Sequence, residues 1–260
     1  MKLLSTLAVF LFAAGSLSAA VKQSLVEYTS AGTVCEGVYI TDEATPKGAP
    51  AVLIVHQWTG ISDHEKEVGE KLAAQGYHVF LADVYGKGIR PPGPPASAQE
   101  ASKYKKDRAL LRTRVGDALS ELKKLSGAEG SKCAAIGYCF GGTSVIELGR
   151  SGADVKKVVS FHGGLDSPTP ADGKNIKGEV LALHGADDPF VPAADVAAFE
   201  AELTAAGVKY ELVKYPGAVH SFTHKAAGND NSKGAAYNEE ADKKSWAATM
   251  KFFEDIQPAK

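Results

Sequence analysis

Residues Ala51–Val55 read AVLIV, an unbroken apolar run only five residues long. Pro50 precedes it and a polar loop follows. A run this short and apolar on every position, not every second one, suits a strand covered on both faces in a parallel sheet. Further strands are expected at Tyr77–Ala82, Lys132–Gly137, Val155–Phe161, Val180–His184 and Tyr210–Tyr215. Helical patterns separate them. Asp63–Gln75 reads as a helix closed by Gly76, and Gly141–Gly149, Pro192–Ala206 and Glu239–Ile256 read as others. From Gln99 to Leu125 the residues Leu111, Val115, Ala118, Leu122 and Leu125 share one face of a single long helix. Thr33–Ile40 mixes β-branched and aromatic residues as a further strand. Alternation of this kind specifies an α/β fold, a mostly parallel sheet with helices on both faces. Gly86–Pro95, dense in glycine and proline, reads as an excursion at the sheet edge, because strands continue with the same spacing on either side.

The start of the chain obeys another logic. Lys2 is followed by an apolar run, Leu3–Ala14, and Ser18-Ala19-Ala20 fits a small-x-small cleavage site. A nearly continuous apolar run of twelve residues is too short to cross a bilayer, so residues 1–20 are expected to be a secretory signal peptide and residues 21–260 a single exported domain. The bacterial periplasm is the natural compartment, with no stable membrane insertion after cleavage. A net charge of −2 supplies no electrostatic footprint for nucleic acid. Three cysteines are too few for a disulfide scaffold, and the odd count leaves at least one sulfur unpaired within the chain. Cys35 and Cys133 fall in separate expected strands and are expected to be buried free thiols.

The third, Cys139, lies in Gly137-Tyr138-Cys139-Phe140-Gly141-Gly142, between an expected strand and an expected helix. G-x-C-x-G has the spacing of a nucleophile elbow: a strained turn presents the central side chain at the sheet edge, and glycines on either side let the backbones pass. A helix N-terminus there favours an anionic sulfur, and the Phe140 amide is placed to donate to an oxyanion. A thiol nucleophile needs a base, and the base an orienting acid. His220, in GAVHSF, and Asp188, in DDPFVP, follow later strand ends in the chain order acid then histidine, with Asp187 the competitor for Asp188. His184 reads as a core or loop histidine, not a second base. No group of residues has metal-ligand spacing.

GYCFGG at Gly137, DDPFVP at Asp187, GAVHSF at Gly217 and QGYHVFLADVYG at Gln75–Gly86 together resemble the dienelactone hydrolase family of α/β-hydrolases, over roughly Val26–Ile256. The resemblance implies an α/β-hydrolase fold and a Cys139–His220–Asp188 triad. It implies a second oxyanion amide from Trp58 in the His56–Gly60 loop, and hydrolysis of a small ester or lactone through a thioester, with no cofactor. Two positions depart from the family. Gln57 stands where a glutamate usually touches the resting thiol, and His224 where an arginine holds a substrate carboxylate. With His162 these are the expected pocket residues; Arg90, Arg108, Arg112 and Arg114 are other sources of positive charge. The same residues would serve acyl transfer to an alcohol or amine, and the two departures raise a third reading, a non-catalytic binding protein on this scaffold.

Overall fold

The computed structural model describes residues 20–259. Apart from Ala20, the expected signal peptide lies outside the described residues. The strands are β1 (Val21–Ser30), β2 (Thr33–Asp42), β3 (Ala51–Val55), β4 (His78–Ala82), β5 (Cys133–Tyr138), β6 (Lys157–Phe161), β7 (Glu179–Gly185) and β8 (Tyr210–Tyr215). The helices are α1 (Asp63–Ala73), α2 (Pro94–Lys106), α3 (Arg108–Ser126), α4 (Phe140–Arg150), α5 (Ala193–Ala205) and α6 (Glu239–Phe252).

One eight-stranded sheet runs β1-β2-β4-β3-β5-β6-β7-β8. β1 and β2 form an antiparallel hairpin through Ala31-Gly32, both at positive φ, the geometry a two-residue hairpin turn requires. β2 meets β4 antiparallel, and every later pairing is parallel. β3, β4, β5 and β6 are buried at every position, as their apolar runs demand. The sheet carries a core on each face. Leu111, Val115, Leu122, Val145 and Phe199 of α3, α4 and α5 close one, and Leu72, Ala73 and Ala241 of α1 and α6 close the other. Among the described residues no helix is long and apolar enough to cross a membrane.

Two elements differ from expectation. The expected helix Gln99–Leu125 is two helices, broken at Asp107. That residue leaves helical geometry (φ −112°, ψ 80°), and its carboxylate accepts the Leu110 N–H at 2.9 Å, so it caps α3. The apolar stripe, Leu111–Leu125, lies wholly within α3, and no glycine or proline between Gln99 and Leu111 marked a stop. β1 carries no apolar run because most of it is exposed at the sheet edge. Cys35 and Cys133 are both buried and unbridged, with β4 and β3 between their strands. A buried charge cluster ties α3, α4 and α5 together. Arg150, wholly buried, donates to Glu202 at 2.9 and 2.7 Å and to Glu147 at 2.9 Å, and Arg112 donates to Glu147 at 2.8 Å.

Candidate active site

β5 runs directly into α4, and the turn between them is Cys139, at φ 54° and ψ −114°. A side chain with a Cβ is strained there by about 1–3 kcal/mol, and only firm surroundings hold it. The surroundings are backbone packed on backbone. A Cβ on Gly137 would lie 2.0 Å from the Gly141 carbonyl oxygen, and one on Gly141 would lie 2.1 Å from that of Val55. His162, also at positive φ, supports the turn from the next strand end. Its Nδ1 accepts the Cys139 N–H at 3.2 Å, so its proton sits on Nε2, which faces Thr223 Oγ1 at 2.8 Å. Burial, with His220 and His64 nearby, holds this ring well below the usual histidine range, hence neutral.

Cys139 Sγ lies 3.0 Å from His220 Nε2, and His220 Nδ1 donates to Asp188 Oδ2 at 2.8 Å. Asp188 is buried, and its other oxygen accepts the Phe190 N–H at 2.8 Å. Asp187 points elsewhere, accepting the Gly217 N–H at 3.1 Å, which separates the two candidate acids. Burial presses the His220 ring down, but the Cys139 sulfur and the Asp188 carboxylate outweigh it and raise the imidazole to about 10. The Phe190 ring is 61% exposed and stands edge-on to His220 at 5.4 Å, an apolar surface beside the histidine.

The loop after β3 faces the elbow. Among the described residues neither the Trp58 nor the Phe140 amide has a hydrogen-bond acceptor. Gln57 does not reach the sulfur. Its side-chain amide donates to Glu65 Oε1 at 3.4 Å and its backbone N–H to the same oxygen at 3.3 Å. Glu65 is wholly buried, and its Oε2 accepts from the Ser62 amide at 2.9 Å and hydroxyl at 2.6 Å. The buried carboxylate of this loop therefore comes from the first turn of α1. Ser62-x-x-Glu65 is a capping-box spacing legible in the sequence, although nothing there ties it to Gln57.

Of the expected pocket residues, His162 is wholly buried and Gln57 nearly so. His224 lines a cavity of about 510 Å³ between α1 and α6, whose walls include His64, Tyr138 and Trp246 but neither Cys139 nor His220. His184 is buried, as a core histidine should be. Arg108 is paired with Asp166, Arg112 with Glu147 and Asp172, and Arg114 is buried against the Ser30 carbonyl, so none of the three is free for a substrate. Arg90 is partly exposed, with its chain beside Gly60.

The model of the dienelactone hydrolase family matches residues 37–257. The chain belongs to this family. It is 26% identical over 234 residues to a Synechocystis sp. protein provisionally named carboxymethylenebutenolidase, spanning 83% of this chain and 90% of that one. A solved structure named m3DLH is 33% identical and superposes with a TM-score of 0.87, over 92% of this chain and 99% of the other. A dienelactone hydrolase-like promiscuous phosphotriesterase from metagenomic libraries is 34% identical, with a TM-score of 0.85 over the same shares. The eight-stranded sheet is thus that of a dienelactone hydrolase-like α/β-hydrolase, and the chain is a hydrolase.

Proposed function

We propose that this dienelactone hydrolase-like protein cleaves small esters or lactones by covalent catalysis on Cys139. The observation that carries the reading is the continuous chain from Sγ through the imidazole to the Asp188 carboxylate, with spacings of 3.0 and 2.8 Å, on a strained strand-to-helix turn. The Cys139 thiolate attacks the acyl carbon, forming a C–S bond and a tetrahedral oxyanion. The Phe140 and Trp58 amides donate to that oxygen. His220, as imidazolium, gives its Nε2 proton to the departing alkoxide, leaving a thioester; for a lactone the alcohol stays tethered to the acyl group. Water then attacks the thioester, His220 takes its proton, and the thiolate departs with the acid as product. Asp188 keeps the imidazole oriented and favours its charged form.

Replacing Cys139 with alanine removes turnover of aryl acetates while the fold persists, and the wild type accumulates a thioester adduct visible by mass spectrometry. Equal hydrolysis by wild type and C139A would end the proposal. Acyl transfer uses the same steps with an alcohol or amine in place of water, and product analysis separates the two. The similarity to a promiscuous phosphotriesterase supports a second substrate class, neutral aryl dialkyl phosphates: the same sulfur attacks phosphorus, the aryloxide leaves with the His220 proton, and water then breaks the P–S bond to release the dialkyl phosphate. Hydrolysis of such a triester lost with C139A tests it. Finally, we propose that residues 1–20 are removed on export to the periplasm and that residues 21–260 act as one domain. N-terminal sequencing of protein recovered from that compartment, expected to begin at Val21, tests this.

A further inference from the structure

His56 ends the loop's approach from β3, is wholly buried and is not one of the residues assigned to the chemistry. We infer that His56 is a positioning residue that sets the oxyanion hole, by pinning the peptide group that presents the Trp58 amide. The inference rests on the reading of Trp58 and Phe140 as the oxyanion donors.

The tautomer follows from the contacts. His56 Nε2 receives the Val84 N–H at 3.2 Å, so it acts as acceptor and carries no hydrogen. The proton is therefore on Nδ1, which donates to the Gln57 carbonyl oxygen at 2.5 Å. Burial, the largest influence, holds the ring below the usual histidine range and so neutral. The Gln57 carbonyl and the Trp58 N–H belong to one planar trans peptide and point in opposite directions. Fixing the carbonyl fixes the direction in which the N–H is offered. Gly60 N–H adds a second bond to the same oxygen at 3.3 Å. The next peptide is pinned by the Tyr85 hydroxyl, which donates to the Trp58 carbonyl at 2.9 Å.

The same rings reach the other donor. His56 stacks against Phe140 at 6.0 Å, and Tyr85 lies 4.6 Å from His56 and 5.5 Å from Phe140. A Cβ on Gly141 would sit 2.8 Å from the His56 carbonyl oxygen, so the loop and the elbow are in backbone contact. One buried imidazole thus bears on both halves of the hole. Loss of a whole oxyanion donor costs about 10²- to 10³-fold in kcat, so a donor that drifts is expected to cost about 10- to 100-fold.

Three variants separate positioning from a general structural role. H56Q keeps an acceptor near the Nε2 position for Val84 but has no donor at the Nδ1 position. H56N places an amide N–H near Nδ1. Y85F removes only the second pin. Each is assayed for kcat and KM on an aryl acetate and for the rate of Cys139 alkylation by iodoacetamide, a displacement that forms no oxyanion. The expected result is a loss of about 10- to 100-fold in kcat/KM for H56Q, carried by kcat, with alkylation unchanged. H56N restores most of that activity, and Y85F loses less than H56Q. The inference is overturned if H56Q turns over like the wild type, or if turnover and alkylation fall together in every variant. If C139A hydrolyses the ester as well as wild type, the underlying catalytic reading fails instead, whatever the His56 variants do.

Discussion

Removing the Cys139 sulfur should release the proton that His220 holds. Burial alone would press this imidazole below its ordinary value of 6.5, yet the sulfur and the Asp188 carboxylate raise it to about 10. That rise of about 3.5 units, at 1.36 kcal/mol per unit, is about 5 kcal/mol in favour of the charged ring. The sulfur stands at 3.0 Å and the carboxylate at 2.8 Å, and the charge of the sulfur is the largest of the upward influences. Part of the upward pull only cancels burial, so losing its largest contributor removes a large share of the net rise. C139A should therefore lower the His220 midpoint by about 2 units or more, about 3 kcal/mol. The sign is fixed by the charge: the ring stays protonated up to about pH 10 in the wild type and gives up its proton nearer neutrality in the variant. Nitrogen-15 NMR of the imidazole, titrated from about pH 5 to 11, reads both midpoints. A C139A midpoint within half a unit of wild type would refute the argument, since the sulfur would then not be the anionic partner. A wild-type midpoint near 6.5 would refute it at the premise.

Other expectations follow from neighbouring contacts. D188N should cut kcat by about 10³- to 10⁴-fold with the fold retained, read by ester kinetics beside circular dichroism, because Asn cannot hold the imidazolium as a carboxylate does. Q57E would set a second carboxylate against buried Glu65, so one of the two must take a proton or turn away. A new inflection in the pH profile of Cys139 alkylation is expected, and an unchanged profile would speak against it. G137A drives a methyl to 2.0 Å from the Gly141 carbonyl oxygen and should destabilise the fold by about 3 kcal/mol or more in urea unfolding. R150A leaves Glu202 buried without its charged partner, while Glu147 keeps Arg112, at a cost of about 3–5 kcal/mol by the same measurement.

The parallel sheet was legible because its strands are covered on both faces, so each inner strand is written as a continuous apolar run. The elbow was legible because its glycines are demanded by backbone contact over a few residues, and the acid and histidine because they follow successive strand ends. β1 escaped notice because an exposed edge strand has little apolar surface to bury. The break at Asp107 escaped because an aspartate cap interrupts the helix without the glycine or proline that would have marked a stop. Around the site, Glu65 and Tyr85 were beyond sequence reasoning. They act on the loop through tertiary contacts, Gln57 with Glu65 and Trp58 with Tyr85, the latter 27 residues apart. His224, matched by the resemblance to a substrate-binding arginine, lines a cavity whose walls include neither Cys139 nor His220.

The three sulfurs occupy unequal positions. Cys35 and Cys133 are wholly shielded, and burial pushes Cys133 to about 11, whereas Cys139 is partly open to solvent. The native chain should thus react with a thiol reagent once, and the denatured chain three times. A fluorophore or spin label added without any mutagenesis would land at one address, and the number of sulfurs titrated would count how much of a preparation is folded.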